Sequence, residues 1–78
     1  MNYDEILQRV IELFATMSDA EEITEESELM EDLDISSMDV LLLISNMEEE
    51  FKISIPESEI RKMVTIGDVA EAVKRLMK

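Results

Sequence analysis

In a chain of 78 residues without Cys or His, the side chains best placed to do chemistry are two adjacent hydroxyls, Ser36 and Ser37. Without imidazole the commonest general base is missing, and no Ser/His or Cys/His pair can be assembled. Gly67 is the only glycine, which removes any glycine-rich phosphate loop. Intrinsic catalysis is not expected. Asp32, Asp34 and Ser36 occupy the first, third and fifth positions of a calcium loop, but the sixth is Ser37 instead of Gly and the twelfth is Leu43 instead of Glu. No metal site is expected, and without Cys neither a disulfide framework nor a thiolate zinc site can form.

The chemistry open to a serine depends on where it stands. From Ser36 to Phe51 the apolar residues follow a helical period. Ser36 is placed to cap that helix, Asp39 falls in its first turn near the positive end of the dipole, and Ser37 becomes the first residue inside. Capping is the ordinary role of a serine at such a point. A hydroxyl at the first helical position is also exposed, and a phosphate attached to it would meet free backbone N–H groups. Val40, Leu43, Ile44, Met47 and Phe51 form one face and are expected in the core, while Met38, Leu42, Ser45 and Glu49 fall on the other.

Three further stretches must hold this helix in place. Between Asn2 and about Met17, Tyr3, Ile6, Leu7, Val10, Leu13, Phe14 and Met17 recur at helical steps, with Asn2 and Glu5 as a reciprocal cap. Residues 18–35 carry nine acids and no sustained period. They read as a long acidic loop pinned to the core by Ile23, Leu29, Met30, Leu33 and Ile35, and loops of this length are usually functional. Lys52–Pro56 alternates like a strand but has no evident partner, so an extended connector is expected, followed by one short helix or turn over Glu57–Lys62. Thr65 and Asp68 make another capping pair, and Ile66, Val69, Ala70, Val73, Leu76 and Met77 define the inward stripe of a last helix. Lys74, Arg75 and Lys78 fall near its end, where cations complement the dipole. The fold class is all-α: a single bundle over residues 1–78, with three longer helices and one short helix.

Net charge is −13, and its distribution is uneven. No base occurs between Arg9 and Lys52, whereas 14 of the 20 acids lie in residues 10–51. Such a field repels nucleic acid and anionic membrane and draws basic protein surfaces toward the middle of the chain. The longest apolar run, Val40–Ile44, is far short of the roughly 20 residues that span a bilayer, and the first residues lack the basic start of a secretion signal. A cytoplasmic monomer is expected.

The string Leu33-Asp34-Ile35-Ser36-Ser37-Met38-Asp39, continued by Glu48-Glu49-Glu50-Phe51, resembles the acyl carrier protein signature. That signature is typically Leu-Gly-Ala-Asp-Ser-Leu-Asp, followed by an apolar helix ending Glu-Glu-Glu-Phe. Ile53-Ser54-Ile55-Pro56-Glu57 and Val64-Thr65-Ile66-Gly67-Asp68-Val69 are similar to the family's connector and its entry to the last helix. The resemblance covers nearly the whole chain. It implies an acyl-carrier-protein-like bundle, a carrier and not an enzyme, in which Ser37 receives 4'-phosphopantetheine from coenzyme A through a phosphopantetheinyl transferase. The missing Cys is no obstacle, since the reactive thiol belongs to the prosthetic group.

The same resemblance implies acyl-loading and acyl-processing partners with basic docking surfaces, as in fatty acid biosynthesis, other lipid metabolism or polyketide assembly. It also implies an acyl chain sheltered between the helices. The docking face would comprise Met38, Asp39, Leu42, Ser45, Glu48 and Glu49. Ser36 replaces the usual Asp before the serine, and Leu42 replaces a common Glu, which makes this face more apolar. Within the same class a stand-alone peptidyl or D-alanyl carrier is the alternative, and outside it an unmodified acidic helical adaptor.

Overall fold

In the computed structural model, which describes residues 1–77, four helices occur in the order α1 (Tyr3–Ala15), α2 (Ser37–Phe51), α3 (Glu57–Ile60) and α4 (Ile66–Leu76). The all-α bundle of three longer helices and one short helix is observed as expected. Strand pairing among the described residues is confined to one antiparallel bridge, between Glu28 and Thr65.

Both helices that sandwich the core at its ends begin with reciprocal caps. Asn2 Oδ1 accepts the Glu5 N–H at 2.8 Å while Glu5 Oε1 accepts the Asn2 N–H at 3.0 Å. Thr65 Oγ1 accepts the Asp68 N–H at 3.1 Å, and Asp68 Oδ2 accepts the N–H groups of Thr65 at 3.1 Å and Val64 at 3.0 Å. These bonds satisfy first-turn donors that would otherwise be lost to the helix ladder. α1 closes at Ala15, earlier than Met17, because Thr16 turns both its hydroxyl and its N–H back to the Leu13 carbonyl and tightens the last turn. Met17 still packs half-buried against the core.

α1 packs chiefly on α4, with Ile6, Val10 and Phe14 meeting Ile66, Val69, Ala70 and Val73, all fully or nearly fully buried. Leu43, Ile44, Met47 and Phe51 of α2 close the core, and each large aliphatic so buried contributes about 1.5–3 kcal/mol. Leu76 and Met77 are half-buried; Met77 caps α4 from outside the helix, Lys74 and Arg75 lie in its last turn, and Lys78 lies outside the described residues.

The acidic loop is held from within. Leu29, Leu33 and Ile35 are buried and Ile23 is partly buried, but Met30 is 55% exposed and does not anchor the loop. The N–H groups of Asp32 and Leu33 both bond the Glu28 carbonyl, at 2.9 and 3.1 Å. That helical turn puts Leu29 and Leu33 on one side and sends Met30 to solvent. A short backbone ladder then joins the loop to the start of α4: Leu29 N–H to Val64 O at 2.9 Å, Ile66 N–H to Ser27 O at 3.0 Å and Gly67 N–H to Glu25 O at 2.8 Å. Gly67 is required there, since a Cβ would stand 2.9 Å from Glu25 Cγ and 3.1 Å from its carbonyl oxygen. Tyr3 adds a clasp from α1, its hydroxyl donating to Glu25 Oε2 at 2.6 Å. Its pKa is pushed up to about 12, first by that hydrogen bond, then by burial and the adjacent negative charge.

Arg9 links α1 to α2. Its Nε donates to Glu50 Oε2 and its Nη1 to Glu12 Oε1, each at 2.7 Å. The hydrogen bond from Arg9 holds the Glu50 carboxyl below the usual range. Because the folded value is depressed, the stabilisation is fully present above the ordinary glutamate range and is lost as pH falls from there through the lowered folded value. Arg9→Gln is therefore expected to lower the melting temperature at neutral pH, and the gap from the parent chain should close below about pH 4. Melting curves across that range check this.

α2 ends at Lys52, which adopts the left-handed conformation at φ 56° and points its N–H at the Glu48 carbonyl. Glycine takes this conformation without the Cβ clash that any other residue suffers. Lys52→Gly should raise stability by about 0.5–1 kcal/mol and Lys52→Val should lower it, as read from urea midpoints.

Candidate functional site

The first turn of α2 separates the two hydroxyls. Ser36 has extended backbone and its Oγ accepts the Asp39 N–H at 3.2 Å, while its carbonyl accepts the Val40 N–H at 2.9 Å. Ser36 is the cap. Ser37 is exposed at the first helical position, and its hydroxyl makes no hydrogen bond among the described residues. The position is held from below by Ile35, which is buried and donates its N–H to the Leu29 carbonyl at 3.1 Å. Asp34 makes the bend into the helix at φ 54°, where the signature carries Gly; aspartate is one of the few other residues that visit this region readily.

Beside Ser37 lies an apolar groove of about 340 Å³ between α2, α3 and the loop, lined by Leu29, Val40, Leu41, Ile60 and Met63, with Ser37 on its rim. Val40, expected in the core, is half-buried and forms part of this wall. Glu28 and Glu31 border the opening.

Met38, Leu42, Ser45 and Glu49 are all exposed on α2, and their spacing makes them one stripe running from Ser37 toward the far end of the helix. Asp39 beside them and Glu48 further along are both half-buried. Glu48 also works within the fold, its Oε2 accepting the Ile55 N–H at 2.7 Å and so holding the connector against α2. Leu41, absent from the expected docking face, is 54% exposed and adds to Met38 at 77% and Leu42 at 51%. The run Leu41-Leu42-Leu43 contained the signal, because three consecutive positions cannot all face one core on a helix.

Ser37 thus presents a free hydroxyl at a helix start, next to an apolar groove. The family described as the phosphopantetheine attachment site matches residues 4–73. An acyl carrier protein of Wolinella succinogenes is 39% identical over 72 residues, covering 92% of each chain. Acyl carrier proteins of Campylobacter fetus subsp. fetus and Campylobacter jejuni (strain RM1221) are each 37% identical over 76 residues, covering 97% of this chain and 96% of theirs. The chain belongs to the acyl carrier protein family, whose members are carriers bearing covalent 4'-phosphopantetheine.

The residues present fit that group. No backbone partner occupies the N–H groups of Ser37 and Met38 among the described residues, so both are free for phosphate oxygens at the positive end of the helix. None of the described helices is long and apolar enough to cross a membrane.

If the cap and the free hydroxyl are distinct, their substitutions should separate. Ser36→Ala is expected to lose about 1 kcal/mol of stability and Ser36→Asp to retain it, while Ser37→Ala should stay within about 0.5 kcal/mol of the parent in chemical denaturation.

Proposed function

We propose that Ser37 is the attachment residue, and that residues 1–78 form one discrete carrier domain that shuttles acyl thioesters between separate enzymes of fatty-acid, polyketide or a related specialised acyl pathway. The observation that carries this reading is the free, exposed Ser37 hydroxyl at the start of α2 on the rim of the apolar groove. In the transfer, Ser37 Oγ forms a bond to the phosphorus of coenzyme A nearest the pantetheine, and the bond from that phosphorus to the bridging oxygen breaks. The nucleotide portion leaves with that oxygen. The serine proton passes to a base on the transferase, since this chain has no His. The arm supplies the thiol that holds the acyl group. The chain's own part is to keep the phosphate at the helix start and to shield the acyl group from water.

Docking falls to the outward stripe of α2. Met38, Leu42 and Ser45 give it an apolar to neutral centre, and Asp39, Glu48 and Glu49 give it the charge that attracts basic partner surfaces. Exposed apolar side chains beside the arm favour partners that pair a basic rim with an apolar contact. A cytoplasmic monomer accords with the chain's small size and high charge.

Incubation of the purified chain with coenzyme A, Mg²⁺ and a broad-specificity phosphopantetheinyl transferase should add the mass of one phosphopantetheine, and Ser37→Ala should add none. No gain in the parent chain supports an unmodified adaptor, and a gain retained in Ser37→Ala moves the attachment elsewhere. Loading with malonyl and aminoacyl donors then separates an acyl carrier from a peptidyl or D-alanyl carrier.

A further inference from the structure

Exposed apolar side chains are not spread evenly over this molecule. Six large ones stand more than half exposed among the described residues: Met1, Met30, Met38, Leu41, Leu42 and Val64. All but Met1 flank Ser37. Met38, Leu41 and Leu42 follow it along the first turns of α2, and Met30 and Val64 line the same groove on whose rim Ser37 lies. A single exposed apolar side chain is ordinary on a protein surface, whereas a set gathered about one point marks a surface that another molecule covers.

Met30 and Val64 come from distant parts of the chain and are brought together by the backbone. Glu28 bridges Thr65, and the Leu29 N–H donates to the Val64 carbonyl at 2.9 Å. The Val64 N–H in turn donates to Asp68 Oδ2 at 3.0 Å. Main-chain atoms therefore fix both segments, and neither the Met30 nor the Val64 side chain is packed into the core.

Charge decides what can cover such a surface. Glu28 and Glu31 line the same groove, and no base occurs between Arg9 and Lys52. Lys62, the base nearest to Val64 in sequence, lines a separate cleft between α3 and α4 with Glu59, Asp68 and Glu71. A second copy of this chain, at net charge −13, is repelled, and so is an anionic membrane. A basic protein surface with an apolar contact at its centre is complementary. The transferase, which has to bring a base to the Ser37 hydroxyl, must come up against the side chains that surround it.

We infer that Met30 and Val64 form a second docking ridge, on the loop side of the groove opposite α2, for a basic surface of the phosphopantetheinyl transferase that acts on Ser37. The inference rests on the assignment of Ser37 as the attachment residue. The enzyme then straddles the serine, with apolar contacts on both sides of it instead of on α2 alone.

The test uses the full unmodified chain, so that neither arm nor acyl group is present, with coenzyme A, Mg²⁺ and a broad-specificity phosphopantetheinyl transferase. Initial rates against carrier concentration give KM and kcat. Met30→Gln combined with Val64→Thr should raise KM about tenfold and leave kcat within about twofold, because apolar contacts of the docked state are lost while the serine and its helix start are untouched. Met30→Leu should keep the parent KM, and Ala15→Ser, an exposed change on α1, should leave both constants alone. If the double variant does not fold, Met30→Gln by itself should raise KM about threefold. An unchanged KM in a folded variant overturns the ridge and leaves the attachment at Ser37 standing. Self-association of the parent chain that the same substitutions abolish gives the ridge to a second copy and overturns it too. No mass gain in the parent chain overturns the attachment reading, and this inference with it.

Discussion

The structure depends on holding a strongly acidic loop against an apolar core. Nine carboxylates in residues 18–35 repel one another, and left alone they would keep the segment extended in water. Leu29, Leu33 and Ile35, all nearly fully buried, reverse that outcome. Three large aliphatics at about 1.5–3 kcal/mol each outweigh mutual repulsion that solvent and salt screen within about 10 Å at 0.1 M. Ile35 stands two residues before Ser37, so the burial that fastens the loop also fixes where α2 begins. The Val64–Gly67 ladder fixes the other border of the groove in the same operation.

The polar interactions around this core orient it more than they drive it. Reciprocal caps define where α1 and α4 start, Glu48 draws the connector back to α2, and Arg9 joins the first two long helices across a surface otherwise dominated by acids. Exposed ion pairs of this sort contribute little individually. Their value is geometric: each restricts an element whose apolar contacts alone would permit sliding.

Much of this was legible in the residue pattern because it is local. Apolar period revealed the three longer helices, and Asn2–Glu5, Ser36–Asp39 and Thr65–Asp68 revealed where they begin, since a cap is written within four consecutive residues. The parts that escaped are those decided across the chain. Met30 looked like an anchor because it is apolar, but the Glu28 carbonyl collects two N–H groups and turns it outward. The pairing of Glu28 with Thr65 uses backbone atoms alone and leaves no trace in side-chain identity. Leu41 was hidden among apolar neighbours. The groove was foreseeable only as a general property of the resembling family; its actual walls, Ile60 and Met63 among them, come from a short helix and the turn after it, whose placement no periodicity encodes.

The uneven charge becomes, in three dimensions, a preferred orientation of approach. The acids crowd the loop and α2, while Arg61, Lys62, Lys74 and Arg75, on the turn after α3 and the end of α4, stand among Glu57, Glu59, Asp68 and Glu71, and Arg61 and Arg75 pair with two of these. A body charged mainly on one side feels a torque in the field of a basic surface, not merely a pull. Such a field turns the acidic loop and α2 toward a basic surface during an approach. The face that bears α2 gains an orientation before any contact is made, and fewer collisions are spent on the rest of the surface.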